Sequence, residues 1–294
     1  MALLGSQILQ YVLSGIVVGG IYALIAIGFV VIFNVTGIIN FAQGEFVMFG
    51  SLLAVSLHTA TLSLSAALLV AVLLTALLGA ILERVAIHPA KGASIATQII
   101  ITIGASIALR GIALMIWGTT PYPLPPFTEG PPLILGGAVI VQQGLWVIGV
   151  TAFLLVGLHG FFHWTILGKA LRACAYNSVG ALLNGISVNR MSLFSFSLSA
   201  GLSAVAGIVI SPITYATYDM GSMLGLKGFV AAMVGGLTSI RGAVVGGLLV
   251  GILESLGAGV VSSGYKDAVA FLVLLALFFL KPEGIFAGRE KVKV

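Results

Sequence analysis

The scarcity of charge is the feature that most constrains this chain. Only 7% of its 294 residues are Asp, Glu, Lys or Arg, whereas 60% are hydrophobic, and the mean hydropathy is +1.21. A soluble domain carries roughly 25% charged residues, because water must solvate its surface. The sequence therefore predicts an integral membrane protein.

The apolar segments predict an all-α, polytopic transmembrane bundle of about eight to nine helices, built as one domain over residues 1–294. A hydrocarbon core of about 30 Å is crossed by about 20 helical residues. Windows of that size select nine candidate spans, which are 8–33, 40–57, 62–82, 95–117, 144–164, 191–211, 224–239, 242–261 and 267–280. The second and seventh of these are short and contain polar residues. Each is a candidate for a broken or re-entrant helix.

The basic residues predict which side of the membrane each loop occupies. Ten of them fall in three loops and the C-terminal tail: Arg84, Lys91, Lys169, Arg172, Arg190, Arg241, Lys281, Arg289, Lys291 and Lys293. Cytoplasmic loops collect Lys and Arg, so these regions and the C-terminus are predicted to be cytoplasmic. The proline-rich stretch 118–143 and the loop 212–223 then lie outside. The basic residues form no continuous stripe, which argues against nucleic acid as a partner.

Two glycine-containing segments predict an internal repeat. In residues 38–52 and 225–236, a polar residue and a glycine precede an apolar run that ends in glycine. The predicted spans place the two segments in opposite directions, as an inverted repeat of four helices, a linker helix and four helices requires. The alternative is two ordinary glycine-rich helices, since 39 glycines are also expected in a tightly packed membrane bundle.

Four charged residues fall well inside predicted spans, away from their ends: Glu45, Arg110, Lys227 and Glu254. Each costs roughly 2.5–3.5 kcal/mol at the bilayer centre, which makes it a candidate functional residue. Glu45 and Lys227 occupy similar places in the two glycine-containing segments, and three alternatives remain open: mutual pairing, snorkelling, or contact with a passing zwitterion. Arg110 is expected to snorkel, and Glu254 is expected to hydrogen-bond between helices.

The polar residues before the second span complete the set of candidates for the translocation pathway. That set is Asn40, Gln43, Glu45, Lys227 and Glu254. Asn40 and Gln43 are equally explained as groups that satisfy a helix end. The chain suggests no metal site and no catalytic constellation, because His159 and His163 have no accompanying Glu and Cys174 is the single cysteine.

Three long motifs carry a resemblance to a known family. The runs from Gly19 to Gly50, from Gly225 to Leu256 and from Lys281 to Arg289 resemble the LivH-type permeases of branched-chain amino acid ABC importers. The resemblance implies a subunit of the bacterial inner membrane that pairs with a second, LivM-like permease, two cytoplasmic ATPases and a periplasmic substrate-binding protein. It implies that the partner ATPases hydrolyse ATP and that this chain binds no cofactor. Similar permeases carry urea or short amides, so that substrate class remains an alternative.

The predicted cytoplasmic stretch 165–190 is a candidate coupling loop. Residues 181–183 and Ile186 favour one short helix, which Asn184 and Gly185 would end. The resemblance implies that Ala181 and Gly185, a small residue and a glycine four positions later, dock into the ATPase. Arg172, Tyr176 and Asn177 would lie at the same contact, although LivH-type loops commonly carry an acidic pair where this chain has Tyr176 and Asn177. The alternative is an ordinary basic loop.

Two other function classes, a secondary transporter and a membrane-embedded enzyme, would require residues different from those of an ABC permease. The chain lacks the G-x-x-x-x-G-K-[ST] motif, as expected of a transport subunit that takes its energy from a partner ATPase and is not itself an enzyme. An ion-coupled secondary transporter would need membrane carboxylates, and only Glu45 and Glu254 are available for that role. A membrane-embedded enzyme would need a catalytic constellation, which the residues do not supply.

Overall fold

A computed structural model of the protein describes residues 2–281 and 283–286, and these residues form a helical bundle. Arg289, Lys291 and Lys293, and with them the end of the third family motif, lie outside the described residues. The described part contains eleven α-helices: α1 (Ala2–Thr36), α2 (Gln43–Thr59), α3 (Leu64–Leu82), α4 (Ile95–Trp117), α5 (Gln142–Trp164), α6 (Ile166–Tyr176), α7 (Ser178–Leu183), α8 (Val188–Thr214), α9 (Met220–Gly235), α10 (Ile240–Val260) and α11 (Lys266–Leu280). The prediction of an all-α bundle is confirmed.

Each of the nine predicted spans corresponds to one helix, and the two additional helices, α6 and α7, lie in the predicted coupling loop. Within the described residues, six helical segments are long and apolar enough to cross a membrane: Gly5–Thr36, Leu64–Ala90, Ile95–Trp117, Gln142–Trp164, Val188–Thr214 and Ile240–Val260. Helices α2, α9 and α11 have 17, 16 and 15 residues. At 1.5 Å per residue these three extend about 22 to 26 Å, less than a hydrocarbon core of about 30 Å.

The interior of the bundle is built around α1, which packs along α10 with the two backbones almost in contact. A Cβ atom added to Gly15 would lie 2.5 Å from the Cα atom of Ile252, and one added to Gly19 would lie 2.9 Å from that of Leu248. Small residues allow this approach and increase the van der Waals contact between membrane helices. The expectation of tight packing from the glycine content is confirmed.

The segment between α4 and α5 carries a short antiparallel hairpin, β1 (Leu133–Leu135) and β2 (Ala138–Ile140). Its two turn residues, Gly136 and Gly137, have φ values of +56° and +84°, which glycine adopts without strain. Earlier in the same segment, Tyr122 forms an antiparallel bridge with Ala216 in the loop between α8 and α9. The proline-rich segment is therefore attached to the loop that precedes α9.

Candidate functional site

The short helices α2 and α9 meet at their N-terminal ends. A Cβ atom on Gly44 would collide with the carbonyl oxygen of Gly221, and one on Gly225 would lie 2.7 Å from the Cα atom of Gly44. Each helix N-terminus carries a partial positive charge, so this junction brings two such ends together. In transporters, short or interrupted helices that meet in this way commonly form the substrate site.

Two buried amides hold the start of α2. The Oδ1 atom of Asn40 accepts a hydrogen bond from the amide of Ala42, the residue before α2, at 3.1 Å, so Asn40 holds the turn that leads into the helix. Gln43 instead reaches α8, where its Oε1 atom accepts from Ser199 at 2.9 Å and its Nε2 atom donates to the Ser203 hydroxyl at 2.6 Å. The beginning of α2 is thereby fixed in place against α8.

Glu45 connects α2 to α4. Its side chain is only 1% exposed, and its Oε1 atom accepts a hydrogen bond from the Ser106 hydroxyl at 2.7 Å. The Nε atom of Arg110 lies 3.8 Å from the same oxygen, and the Arg110 side chain is 35% exposed. The Oε2 atom of Glu45 is buried and has no hydrogen-bond partner among the residues that the structure describes. Arg110, for which snorkelling alone was expected, is therefore also a counterion of Glu45.

Lys227 belongs to a separate charge network that joins α9, α10 and α11 to α1. Its Nζ atom donates to Glu254 Oε1 at 2.9 Å and lies 2.6 Å from Asp267 Oδ1. The Tyr22 hydroxyl donates to Glu254 Oε2 at 2.9 Å, and Lys266 Nζ lies 3.4 Å from Glu254 Oε1. The expected hydrogen bonding between Glu254 and another helix is confirmed, with Glu254 as the acceptor.

The alternative in which Glu45 and Lys227 pair with each other is wrong, because each has counterions of its own. Glu45 and Lys227 also occupy different positions in their helices. Glu45 is the third residue of α2, whereas Lys227 is the eighth residue of α9. The two motifs align Gly44 with Gly228. The glycines that contact Gly44 are instead Gly221 and Gly225, which lie earlier in α9.

Some of the buried charge was not predicted from the sequence. Glu83, at the end of α3, is 1% exposed and accepts a hydrogen bond from Ser192 at 2.7 Å. Its position beside Arg84, at the predicted end of a span, is typical of a solvated loop charge. Asp267 and Lys266, at the start of α11, are about half-exposed, and their roles as counterions of Lys227 and Glu254 were missed for the same reason.

The predicted coupling loop contains the amphipathic helix α6. Gly168, Leu171 and Cys174 repeat every three residues on its buried side, while Lys169 and Arg172 are exposed. Burial raises the pKa of the Cys174 thiol above its ordinary value. Helix α6 thus lies on the bundle through one apolar face and presents a basic face outward.

The short helix predicted in this loop is confirmed as α7. Asn177 begins it, since its Oδ1 atom accepts from the Gly180 amide at 2.9 Å, and Gly185 follows it with a φ of +80°. Ile186 lies beyond the helix, and its amide donates to the Ala181 carbonyl at 3.0 Å. The order Asn184 then Gly185 ends the helix as expected, because only glycine adopts this φ readily.

The residues of α7 separate into an inner and an outer side. Ala181 is buried within the chain, so its small size serves packing against this protein rather than direct contact with a partner. Space is open around the Cα atom of Gly185, so the need for glycine there is conformational. The large exposed side chains on the outer side are Val179, Leu182 and Leu183 of α7 and, at the end of α6, Tyr176, and they are 61–83% exposed.

Comparison with known proteins gives consistent matches along the whole chain. Residues 11–278 match the family model described as branched-chain amino acid transport system / permease component. The chain is 34% identical to the high-affinity branched-chain amino acid transport system permease protein BraD of Pseudomonas aeruginosa, over 97% of this chain and 98% of that protein. It is 32% identical to LivH of Escherichia coli K12, over 97% of each chain, and 28% identical to a probable LivH of Methanocaldococcus jannaschii, over 94% and 92%.

Proposed function

Because the chain belongs to the family of branched-chain amino acid transport permeases, we propose that it is the membrane subunit of an ATP-driven importer that carries these amino acids across the bacterial inner membrane. The observation that carries the proposal is a similarity that extends over nearly the full length of both chains. A match confined to one motif would support the fold of that segment only. Transport of urea or short amides is not favoured, since the relatives that are 32–34% identical over 97% of this chain are named for branched-chain amino acids.

The proposed importer contains subunits beyond this chain. The second permease would be LivM-like, two cytoplasmic ATPases would hydrolyse ATP, and a periplasmic binding protein would deliver the substrate. This chain would bind no cofactor, and its C-terminus would be cytoplasmic, on the side of the basic loops.

The outer side of α6 and α7 is the surface proposed for the ATPases. Val179, Leu182 and Leu183 expose apolar area on a helix that has no membrane to enter if the loop is cytoplasmic. Burial of such area against a partner is favourable by about 25 cal/mol per Å². Arg172 would flank the contact, and Asn177 and Gly185 would hold α7 in the docking position.

The junction of α2 and α9 is the proposed part of the translocation pathway in this chain. Asn40, Gln43 and Glu45 lie at the start of α2, whereas Lys227 and Glu254 lie farther along the α9 side. The two helix N-termini suit the carboxylate of an amino acid, and the unpartnered Oε2 atom of Glu45 suits its ammonium group. Relative movement of α2 and α9 would open the junction alternately to each side.

The proposal is tested by uptake of radiolabelled leucine into vesicles that contain the complete complex. Uptake is expected to require ATP, the ATPases and the binding protein together. Gly185→Trp is expected to abolish ATP-driven uptake while membrane insertion persists, since tryptophan is strained at a φ of +80°. Gly104→Trp is the matched control, because space around Gly104 is open. Uptake driven by an ion gradient without the ATPases would refute the proposal.

A further inference from the structure

A buried carboxylate lies where α3 changes its helical pattern. Glu83 begins a π-helical turn, Glu83–Ile87, that continues α3 into a 3-10 turn, His88–Ala90. Such turns inside helices occur frequently at functional sites. Ser192 of α8 donates to Glu83 Oε1 at 2.7 Å, whereas Glu83 Oε2 is buried and finds no hydrogen-bond partner in the described part of the chain. Glu83 can therefore accept a further donor without losing the one it has.

Lys91 makes the second contact between this segment and α8. Its Nζ atom donates to Asn189 Oδ1 at 2.7 Å and lies 3.5 Å from Glu83 Oε1 and 3.0 Å from His88 Nδ1. Asn189 is the second residue of α8, and Lys91 and Asn189 are both exposed. Water can therefore replace the contact between them when the two segments move apart.

Helices α3 and α8 run antiparallel, and their contacts change from backbone packing to side-chain hydrogen bonds toward the end of α3. At Gly79 the two helices touch through their backbones, since a Cβ atom there would lie 2.6 Å from the Phe196 carbonyl oxygen. One turn farther along α3, the contact becomes the hydrogen bond between Ser192 and Glu83. Close-packed backbones resist sliding, whereas polar contacts can exchange partners. This series of contacts is thus rigid at Gly79 and adjustable from Glu83 onward.

The adjustable end is directly connected to the coupling segment. Only residues 184–187 separate α7 from α8, and Ser187 caps α8 by accepting from the Arg190 amide at 3.4 Å. Asn189 and Ser192 follow within the first five residues of α8. Any displacement of α7 therefore reaches these two residues before it reaches the rigid contact at Gly79.

We propose that Glu83, Lys91, Asn189 and Ser192 form a latch that passes the movement of α7 to α3, with Glu83 as its positioning residue. The proposal rests on the proposed function, because it requires ATPases that push α7. When α7 moves, Lys91 leaves Asn189 and turns to the unpartnered Oε2 atom of Glu83. The π-helical turn, Glu83–Ile87, accommodates the shift of Lys91 relative to Glu83. The close contact of α8 with Gly79 then carries the movement of α8 into the membrane part of α3.

The first test measures coupling, as leucine imported per ATP hydrolysed, in vesicles that contain the complete complex. Glu83→Gln and Lys91→Met are each expected to lower this ratio about tenfold, the effect on an equilibrium of losing one interaction with a charged group, while ATP hydrolysis continues. Lys91→Arg keeps the charge and is expected to restore the ratio. Arg84→Met removes a neighbouring exposed charge and serves as the matched control.

Two results of this test would overturn the latch. One is an unchanged ratio in both Glu83→Gln and Lys91→Met. The other is an equal fall in import and hydrolysis, which would indicate a merely structural role. Absence of ATP-driven import by the wild-type complex would instead refute the proposed function, so the two failures are distinguishable.

The second test restrains the latch by cross-linking on a Cys174→Ser background. A reducible bifunctional methanethiosulfonate reagent joins cysteines that replace Lys91 and Asn189. Because loss of Lys91 is itself expected to lower import about tenfold, the reference is the same double variant before cross-linking. Cross-linking is expected to lower the remaining import at least another tenfold, and reduction is expected to return it to the level before cross-linking. The control is a disulfide between Ala76→Cys and Gly201→Cys, since a Cβ atom on Gly201 would lie 3.7 Å from that of Ala76, which suits a disulfide.

The control disulfide also joins α3 to α8, but at the rigid level of the series, and is expected to leave import unchanged. Equal import by the cross-linked and reduced forms of the 91–189 pair would show that the two segments keep a fixed distance. That result would overturn the proposal.

Discussion

The two short helices of the bundle hold their buried charges in different ways. Glu45 of α2 has one serine donor and one arginine at 3.8 Å, and within residues 2–281 and 283–286 one of its oxygen atoms has no hydrogen-bond partner. Lys227 of α9 lies between two carboxylates, one of which also contacts Tyr22 and Lys266. Glu45 of α2 can thus accept a hydrogen bond from another ligand, whereas Lys227 of α9 and its partner Glu254 already have several partners each. We infer that Lys227 contributes mainly to stability and Glu45 mainly to transport.

The largest expected effect comes from Lys227→Met. This change leaves the buried Glu254 with only the half-exposed Lys266 as a counterion, and it removes the partner of Asp267. Breaking a buried ion pair by removing one partner costs about 3–5 kcal/mol. Thermal unfolding in detergent is expected to show a large fall in Tm, with a much smaller one for Lys266→Met. Equal falls in the two variants would contradict the central role of Lys227.

A smaller effect is expected from Gly44→Ala, at the contact that the two short helices share. The added methyl group collides with the Gly221 carbonyl oxygen, and overpacking of this kind costs about 1–3 kcal/mol. Both Tm and leucine uptake are expected to fall. Gly104→Ala, in the open surroundings of α4, is the control and is expected to change neither. Unchanged Tm and uptake in Gly44→Ala would show that α2 and α9 do not require this close approach.

The smallest effect on stability is expected from Glu45→Gln. The amide oxygen can still accept from Ser106, and Arg110 is exposed enough for solvation, so the cost is about 1 kcal/mol. Leucine uptake is nevertheless expected to fall severalfold, since the carboxylate is the proposed contact for an ammonium group. The exposed Glu129→Gln provides the control in both assays. A Tm loss as large as that of Lys227→Met, or normal uptake, would contradict the contrast between the two sides.

The helices themselves were predictable because the signal for a membrane span is local. A run of apolar residues matching the bilayer thickness must form a helix, since the hydrocarbon core offers no other partner to its backbone groups. Among the described residues, six of the nine predicted runs became helices long enough to cross the membrane, and the other three became the shorter helices α2, α9 and α11. The signal that ends α7 was equally local, because Gly185 can adopt a φ that other residues avoid.

The partners of the charged residues could not be predicted. Glu45 meets Ser106, 61 positions away, and Glu254 meets Tyr22, 232 positions away, so no spacing in the sequence relates them. Glu83 was overlooked because its burial depends on the way α8 crosses the end of α3. The inward direction of Ala181 likewise depends on the docking of α7 against the bundle.

The sequence by itself determined that this protein is a membrane bundle, where its helices lie and to which family it belongs, because composition, apolar run length and long motifs are properties of the chain alone. Tertiary structure alone decided which charges meet, which face of α7 is outward, and that α2 and α9 touch at glycine. The physical reason is that an ion pair or a backbone contact depends on distances across the bundle. Those distances are determined only when all the helices pack together.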